Sequence, residues 1–218
     1  MTASPDPVQR LAGVDGCRGG WIVATERGAF VLPVLTTEIG STIGVDMPIG
    51  LPSEHPRVSD REARAYLGPR RSTIFPTPPR ACLHATDYPS ALAASRAAMG
   101  TGISIQAFHL LAKIRELDAL VTALANPFVE VHPECSFLTM NGLETLPPKK
   151  TPAGAARRAE LLTHVFGSLP STPRGARLDD LHDAYAVLWS TDRYVRGEHI
   201  TFGDDELDRR GLPMRVVC

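Results

Sequence analysis

Two short apolar segments each end on a single aspartate: Leu11-Ala12-Gly13-Val14-Asp15-Gly16 and Thr42-Ile43-Gly44-Val45-Asp46-Met47-Pro48. A third segment, Val129-Glu130-Val131-His132-Pro133-Glu134, reads as a strand that also ends in acids, and the helix-like run Leu178-Asp179-Asp180-Leu181-His182-Asp183-Ala184-Tyr185 carries carboxylates one helical turn apart. A carboxylate at the end of an apolar strand is costly unless it meets water, a proton or a cation. Several brought together repel one another, and a hard cation such as Mg2+ or Mn2+ relieves that repulsion. The pattern points to a metal-dependent enzyme acting on phosphate oxygens.

At 218 residues and 43% hydrophobic, the chain has enough apolar material for one α/β domain over residues 11–218. Residues 1–10 are polar and proline-punctuated, lack the apolar stretch of a signal peptide and read as a disordered lead-in. No apolar run reaches membrane-spanning length, so no membrane partner is expected. Cys17, Cys82, Cys135 and Cys218 have no paired spacing and suit a reducing cytoplasm. A net charge of −1 excludes a globally basic nucleic-acid coat but not a local basic patch. There is no Walker loop and no G-x-S-x-G elbow, the Cys/His spacings match no standard zinc site, and oligomeric state is not encoded in any visible pattern.

Turn residues divide residues 11–35 into a three-stranded antiparallel meander, followed by a fourth strand at 42–46. Residues 48–102 form an Arg/Pro-rich insertion whose Ser59-Asp60-Arg61-Glu62 reads as a capping box opening a helix. Further helices are expected at 89–99, 104–125, 151–166 and 178–196, with a fifth strand at 128–132. Gly100, Gly167 and Gly197 serve as stops, and Thr151-Pro152 as a start. The order predicts a mixed five-stranded sheet, three antiparallel strands plus two parallel ones, flanked by helices.

That order, with acids on the first strand, the fourth strand and the last helix, resembles the ribonuclease H-like superfamily. The nearer resemblance is to an uncharacterised family of predicted RNase H-like nucleases. It is carried by Gly13-Val14-Asp15-Gly16-Cys17-Arg18-Gly19-Gly20-Trp21 and Gly44-Val45-Asp46-Met47-Pro48-Ile49-Gly50-Leu51-Pro52. Phe75-Pro76-Thr77-Pro78-Pro79-Arg80, Lys113-Ile114-Arg115-Glu116, residues 129–134 and Pro148-Lys149-Lys150-Thr151-Pro152 complete it. Asp180-Leu181-His182-Asp183-Ala184 is similar to the acid-x-x-Asp-Ala pattern on the last helix of Holliday-junction resolvases. The resemblance implies a two-metal phosphodiesterase of nucleic acid. Asp15, Asp46 and Asp183 would be the metal positions, Asp15 bridging, with Glu134 or Asp180 assisting. Only about six residues separate the third and fourth strands, so the superfamily's crossover is expected to be shortened there.

Each residue also has an ordinary reading. Asp15-Gly16 is a common hairpin pair, Asp46 suits a turn, and Asp179 and Asp180 complement a helix dipole. Asp183 lies beside the apolar stripe of its helix. Glu130 alternates with valines and would face solvent, which favours Glu134 as the fourth acid, with His132 a proton shuttle or a structural histidine. Residues 57–80 of the insertion hold six arginines, Arg57, Arg61, Arg64, Arg70, Arg71 and Arg80, against Asp60 and Glu62. They form either a phosphate-tracking surface or a solvated face. Arg18, Arg70, Arg71, Arg80, Lys113 and Lys149 are the candidate substrate-binding residues. The alternative to nuclease activity is a non-catalytic member of the fold that binds a nucleotide or another phosphorylated ligand.

Overall fold

The structure, a computed structural model, describes residues 10–122 and 126–218. The expected lead-in lies outside the described residues except for Arg10. Strands β1 (Leu11–Cys17), β2 (Gly20–Thr25), β3 (Gly28–Leu32), β4 (Thr42–Val45) and β5 (Phe128–Glu130) form one sheet in the order β3-β2-β1-β4-β5. The first three make the antiparallel meander, and β1–β4 and β4–β5 pair in parallel. This is the mixed five-stranded α/β sheet expected. A 3-10 turn, Thr37–Ile39, links β3 to β4, so the short connection carries no α-helix.

The helices are α1 (Val58–Leu67), α2 (Tyr88–Met99), α3 (Ile105–Leu120), α4 (Pro133–Met140), α5 (Pro152–Phe166) and α6 (Leu178–Arg196). A two-residue pair, β6 (Thr201–Phe202) with β7 (Val216–Val217), ends the chain. Strand side chains alternate between faces. Ala12, Val14, Val23, Ile43 and Val45 pack with Leu111, Ile114 and Leu117 of α3. Cys17, Ile22 and Ala24 pack on the opposite face with Leu162 of α5 and Leu181, Ala184 and Leu188 of α6.

Helix α6 sits unusually close to the two central strands because Gly13 and Gly44, paired in register, carry no side chain. A Cβ at Gly13 would stand 2.2 Å from the Leu188 backbone nitrogen, and one at Gly44 would stand 2.0 Å from Thr191 Oγ1. Parity then settles which acids meet the helix. Asp15 and Asp46 each lie two residues beyond one of these glycines and so share their face, while Glu130, paired with Val45, belongs to the other.

Several local expectations shift. The capping box at Ser59 does not form: α1 starts at Val58 with Arg57 at the N-cap and no side-chain cap. Ser59 is buried, and Glu62 accepts a hydrogen bond from the Gly203 amide at 2.7 Å. A tertiary partner has claimed Glu62, while the Ser59 hydroxyl is buried without a hydrogen-bond partner among the described residues. Helix α3 ends at Leu120, short of the expected 125, where Arg210 donates to the Asp118 and Val121 carbonyls and satisfies the helix end; residues 123–125 lie outside the described ones. Strand β5 stops at Glu130, and Val131 bridges to Val217 instead. Helices α5 and α6 keep their expected starts and stops, with Thr151 capping the Gly154 amide and Gly197 left-handed at the end of α6.

Replacing Gly13 or Gly44 with alanine forces α6 away from backbone atoms or a buried side chain that cannot yield. Urea unfolding of each variant should show a loss of about 1–3 kcal/mol. A loss below about 0.5 kcal/mol would mean that α6 does not depend on this close approach.

Candidate functional site: an acidic cleft with a seated lysine

The parallel pairing of β1 and β4 continues past the strands, where the Asp46 amide donates to the Val14 carbonyl at 2.9 Å. Asp15 and Asp46 therefore stand side by side at the carboxyl ends of adjacent strands, where open α/β sheets present ligand crevices. Asp183, in the second turn of α6, is held against them by the helix's close seat on β1 and β4. Asp15 and Asp183 are buried, while Asp46 keeps part of its surface toward a cleft. Burial, then Asp46 and Asp183, hold the Asp15 carboxyl well above the ordinary range. Burial and then Asp183 push Asp46 up to about 8. Asp183 is raised by burial to about 6, against the opposing pull of Lys149.

Lys149 Nζ donates to Asp183 Oδ2 at 2.6 Å. Burial works against its charge, but Asp183, Asp15 and Asp46 outweigh that and raise its pKa, so the ammonium stays charged. The other Asp183 oxygen, Oδ1, is buried and has no hydrogen-bond partner among the described residues. Such an atom is expensive unless something outside the chain satisfies it.

A cavity of about 170 Å³, lined by Asp15, Asp46, Phe75, Ile114 and His132 among others, opens beside the first two acids. A second, of about 450 Å³, shares Asp46, Thr73, Phe75 and His132 with it and continues to Arg70, Glu134, Lys149 and Asp183. Burial lowers His132 to about 4, so its imidazole is neutral at physiological pH, and its Nδ1 is buried without a partner among the described residues.

The remaining candidates have other engagements. Glu134, in the first turn of α4, accepts from Arg158 Nη2 on both oxygens at 2.8 and 2.9 Å, with Arg70 at 3.5 Å. Asp180 accepts from the Arg177 amide at 2.8 Å and caps α6, yet its charge still reaches Asp15. Arg80 pairs with Asp118 at 2.9 Å and also with Asp208. Lys113 donates to the Gly20 carbonyl and lies 4.4 Å from the centre of the Trp21 ring. Arg70 faces the second cavity, whereas Arg18 and Arg71 are exposed, Arg18 in the β1–β2 turn. The structure thus brings Asp15, Asp46, Asp183, Lys149, Glu134 and Arg70 to one cleft and leaves Arg80 and Lys113 in contacts elsewhere.

Sequence reasoning missed the network beneath the cleft. Glu130 is buried rather than solvent-facing: Arg57 donates to it at 2.6 and 2.7 Å and to Asp60 at 2.5 Å. Glu130 also takes the Ile49 amide, and Asp60 the Thr77 amide, each at 2.7 Å. Arg57 and Glu130 lie 73 residues apart, so no local pattern could pair them. The network fixes the 47–50 and 75–78 segments that wall the first cavity. Of the six arginines of residues 57–80, Arg57 and Arg80 are spent on buried or half-buried acids, and Arg64 donates to the Ile74 carbonyl. The surface is therefore less basic than the sequence suggests.

Clustered carboxylates, one of them with a buried, unpartnered oxygen, suit a hard cation chemically. Among the described residues no group of three or more His, Cys, Asp and Glu side chains is arranged so that it could hold a metal ion by itself. Mg2+ does not need one, since it commonly takes one or two carboxylates and completes its shell with water and substrate phosphate. Asp15 and Asp46 could hold such an ion, with Asp183 beside them.

The raised carboxyl pKa values carry a stability consequence. An unfolded aspartate loses its proton near pH 4, whereas folded Asp183 and Asp46 keep theirs to about 6 and about 8. In that window the folded state binds more protons at these two sites, so their contribution to stability is greatest at low pH and falls as pH rises toward 8. Thermal melts in chelator should show a lower Tm at pH 8 than at pH 5.5, and Asp46→Asn should flatten the trend; a rising wild-type trend would contradict the assignment. Separately, Arg158→Met leaves Glu134 short of its main partner and should cost about 3 kcal/mol, near the lower end for a broken buried pair because Arg70 remains nearby. Adding Glu134→Gln should recover part of that loss in a denaturation double-mutant cycle.

No helix among the described residues is long and apolar enough to cross a membrane. Searches of curated proteins and of solved structures gave no match. One family model, described as protein of unknown function (DUF429), matches residues 13–207, a span that contains every acid of the cleft. The chain belongs to the DUF429 family.

Proposed function

We propose that this chain is a divalent-metal-dependent nuclease of ribonuclease H-like fold, hydrolysing phosphodiester bonds of DNA or RNA. The observation that carries the reading is the convergence of Asp15, Asp46 and Asp183, from two parallel strand ends and one helix, at the wall of an open cleft. Their charges are costly together without a cation. The antiparallel meander followed by two parallel strands supports the fold assignment. A reducing cytoplasmic setting is supported by four buried cysteines, all free.

Mg2+ or Mn2+, when bound, would supply Lewis acidity toward a phosphoryl oxygen and a more acidic water. Asp15 and Asp46 would hold the ion and orient that water. In the hydrolysis the water oxygen bonds to phosphorus as the bond to the leaving oxygen breaks, and one water proton ends on the leaving hydroxyl. Arg70 and Lys149, which line the same cleft, would contact the flanking phosphate oxygens. Asp183 would hold Lys149 in place.

The test is Mn2+-dependent cleavage of branched DNA, single-stranded DNA and an RNA–DNA hybrid by wild type, Asp15→Asn and Asp46→Asn in parallel. Each substitution should lower the rate by roughly 100-fold or more while the fold is retained. Equal cleavage by all three proteins would reject the site. Failure of wild type on every substrate would favour binding of a nucleotide or other phosphorylated ligand without hydrolysis.

A further inference from the structure

Lys149 is not a loosely attached surface lysine. The turn that carries it is pinned on both sides: Arg158 Nη1 donates to the Pro147 carbonyl at 3.0 Å, and the Thr151 amide donates to the Pro148 carbonyl at 2.9 Å. A Cβ at Gly154 would lie 2.1 Å from that same Pro148 oxygen, so the turn rests directly on the first turn of α5. Arg158 is itself buried and is gripped by both oxygens of Glu134. Glu134, which also lines the second cavity, thus fixes the arginine that fixes the lysine's turn.

The ammonium at the end of this chain of contacts has already taken one oxygen of Asp183. With all three carboxyls ionised, three carboxylates and one ammonium leave two negative charges, and these belong to Asp15 and Asp46. One divalent ion balances them. A second would have to sit against a fixed positive charge and break a 2.6 Å ion pair whose carboxylate is buried, although its lysine side chain is 36% exposed. An ammonium has three donors, of which Asp183 takes one. Lys149 also lines both recesses flanking Asp183, so its other donors have access to a ligand there.

We propose that the centre works with one divalent ion, held by Asp15 and Asp46, and that the Lys149 ammonium seated on Asp183 is its second cation, contacting a phosphate oxygen of the substrate. The proposal rests on the nuclease reading and replaces the two-ion arrangement expected by resemblance. Glu134 and Arg158 become positioning residues for Lys149.

The test is the number of Mn2+ ions bound per full-length chain, measured by electron paramagnetic resonance of free Mn2+ and by calorimetry, with Mn2+ alone and no nucleic acid. Wild type should bind one ion in the cleft. Lys149→Met keeps the aliphatic stem, frees Asp183 and should bind two, while Lys149→Arg keeps the charge and should remain at one. Circular dichroism checks that each variant is folded, and the arginine variant separates loss of charge from loss of packing. Two ions in wild type, or a stoichiometry unchanged by Lys149→Met, would overturn the proposal. Absence of any bound Mn2+ in wild type would instead bring down the nuclease reading beneath it. One ion without cleavage would leave the lysine's place in the metal centre standing while rejecting hydrolysis.

Discussion

Helix α6 can lie directly on β1 and β4 only because the two residues beneath it, Gly13 and Gly44, have no Cβ. The rest of the site follows from that contact. Strand alternation carries the glycine face two residues onward to Asp15 and Asp46, and helical geometry puts Asp183 just before the turn that touches Gly13. Interiors are packed densely enough that a helix a few ångströms farther out would leave a void and carry Asp183 away from the other two acids. The glycines therefore act on chemistry as much as on packing.

Bringing three carboxylates together at the edge of an apolar core is unfavourable in isolation, and the chain offsets it in two ways. Lys149 neutralises Asp183, and the raised affinities of Asp15 and Asp46 for protons lower the net charge when no cation is present. Protons and a divalent ion thus compete for the same oxygens, so ion binding should release protons. Around this strained centre, buried arginine–carboxylate pairs hold the walls: Arg57 with Glu130 and Asp60 on one side, Arg158 with Glu134 on the other. Such pairs are geometrically exacting, and removal of one partner is severe. They fix position more than they add net stability.

The central strands, the two C-terminal helices and the acids at their ends were legible because each rests on a local rule. A strand with an aspartate near its carboxyl end (β1 runs on two residues past Asp15, to Cys17), a proline at the first position of α5 and a left-handed glycine after α6 are all decided within a few residues. The convergence of Asp15, Asp46 and Asp183 could be anticipated because two strand ends and one helix were each marked by an acid. Roles decided by distant partners were not legible. Glu130 looked solvent-facing until Arg57, 73 residues away, was found against it. Ser59 and Glu62 had the spacing of a capping box but answer to burial and to Gly203. Arg80 looked like a phosphate ligand, yet Asp118 and Asp208 hold it. Local pattern names the residue types; only the tertiary structure says which charges are already spent.

The most direct test of the central claim, that Asp15 and Asp46 form a cation site closed on one side by Lys149, is the anomalous diffraction of crystals soaked in Mn2+. The account predicts a single peak in the cleft, within coordination distance of carboxylate oxygens of both Asp15 and Asp46, with Lys149 still bonded to Asp183. A peak elsewhere on the chain, or Lys149 displaced from Asp183 by a second ion, would contradict it.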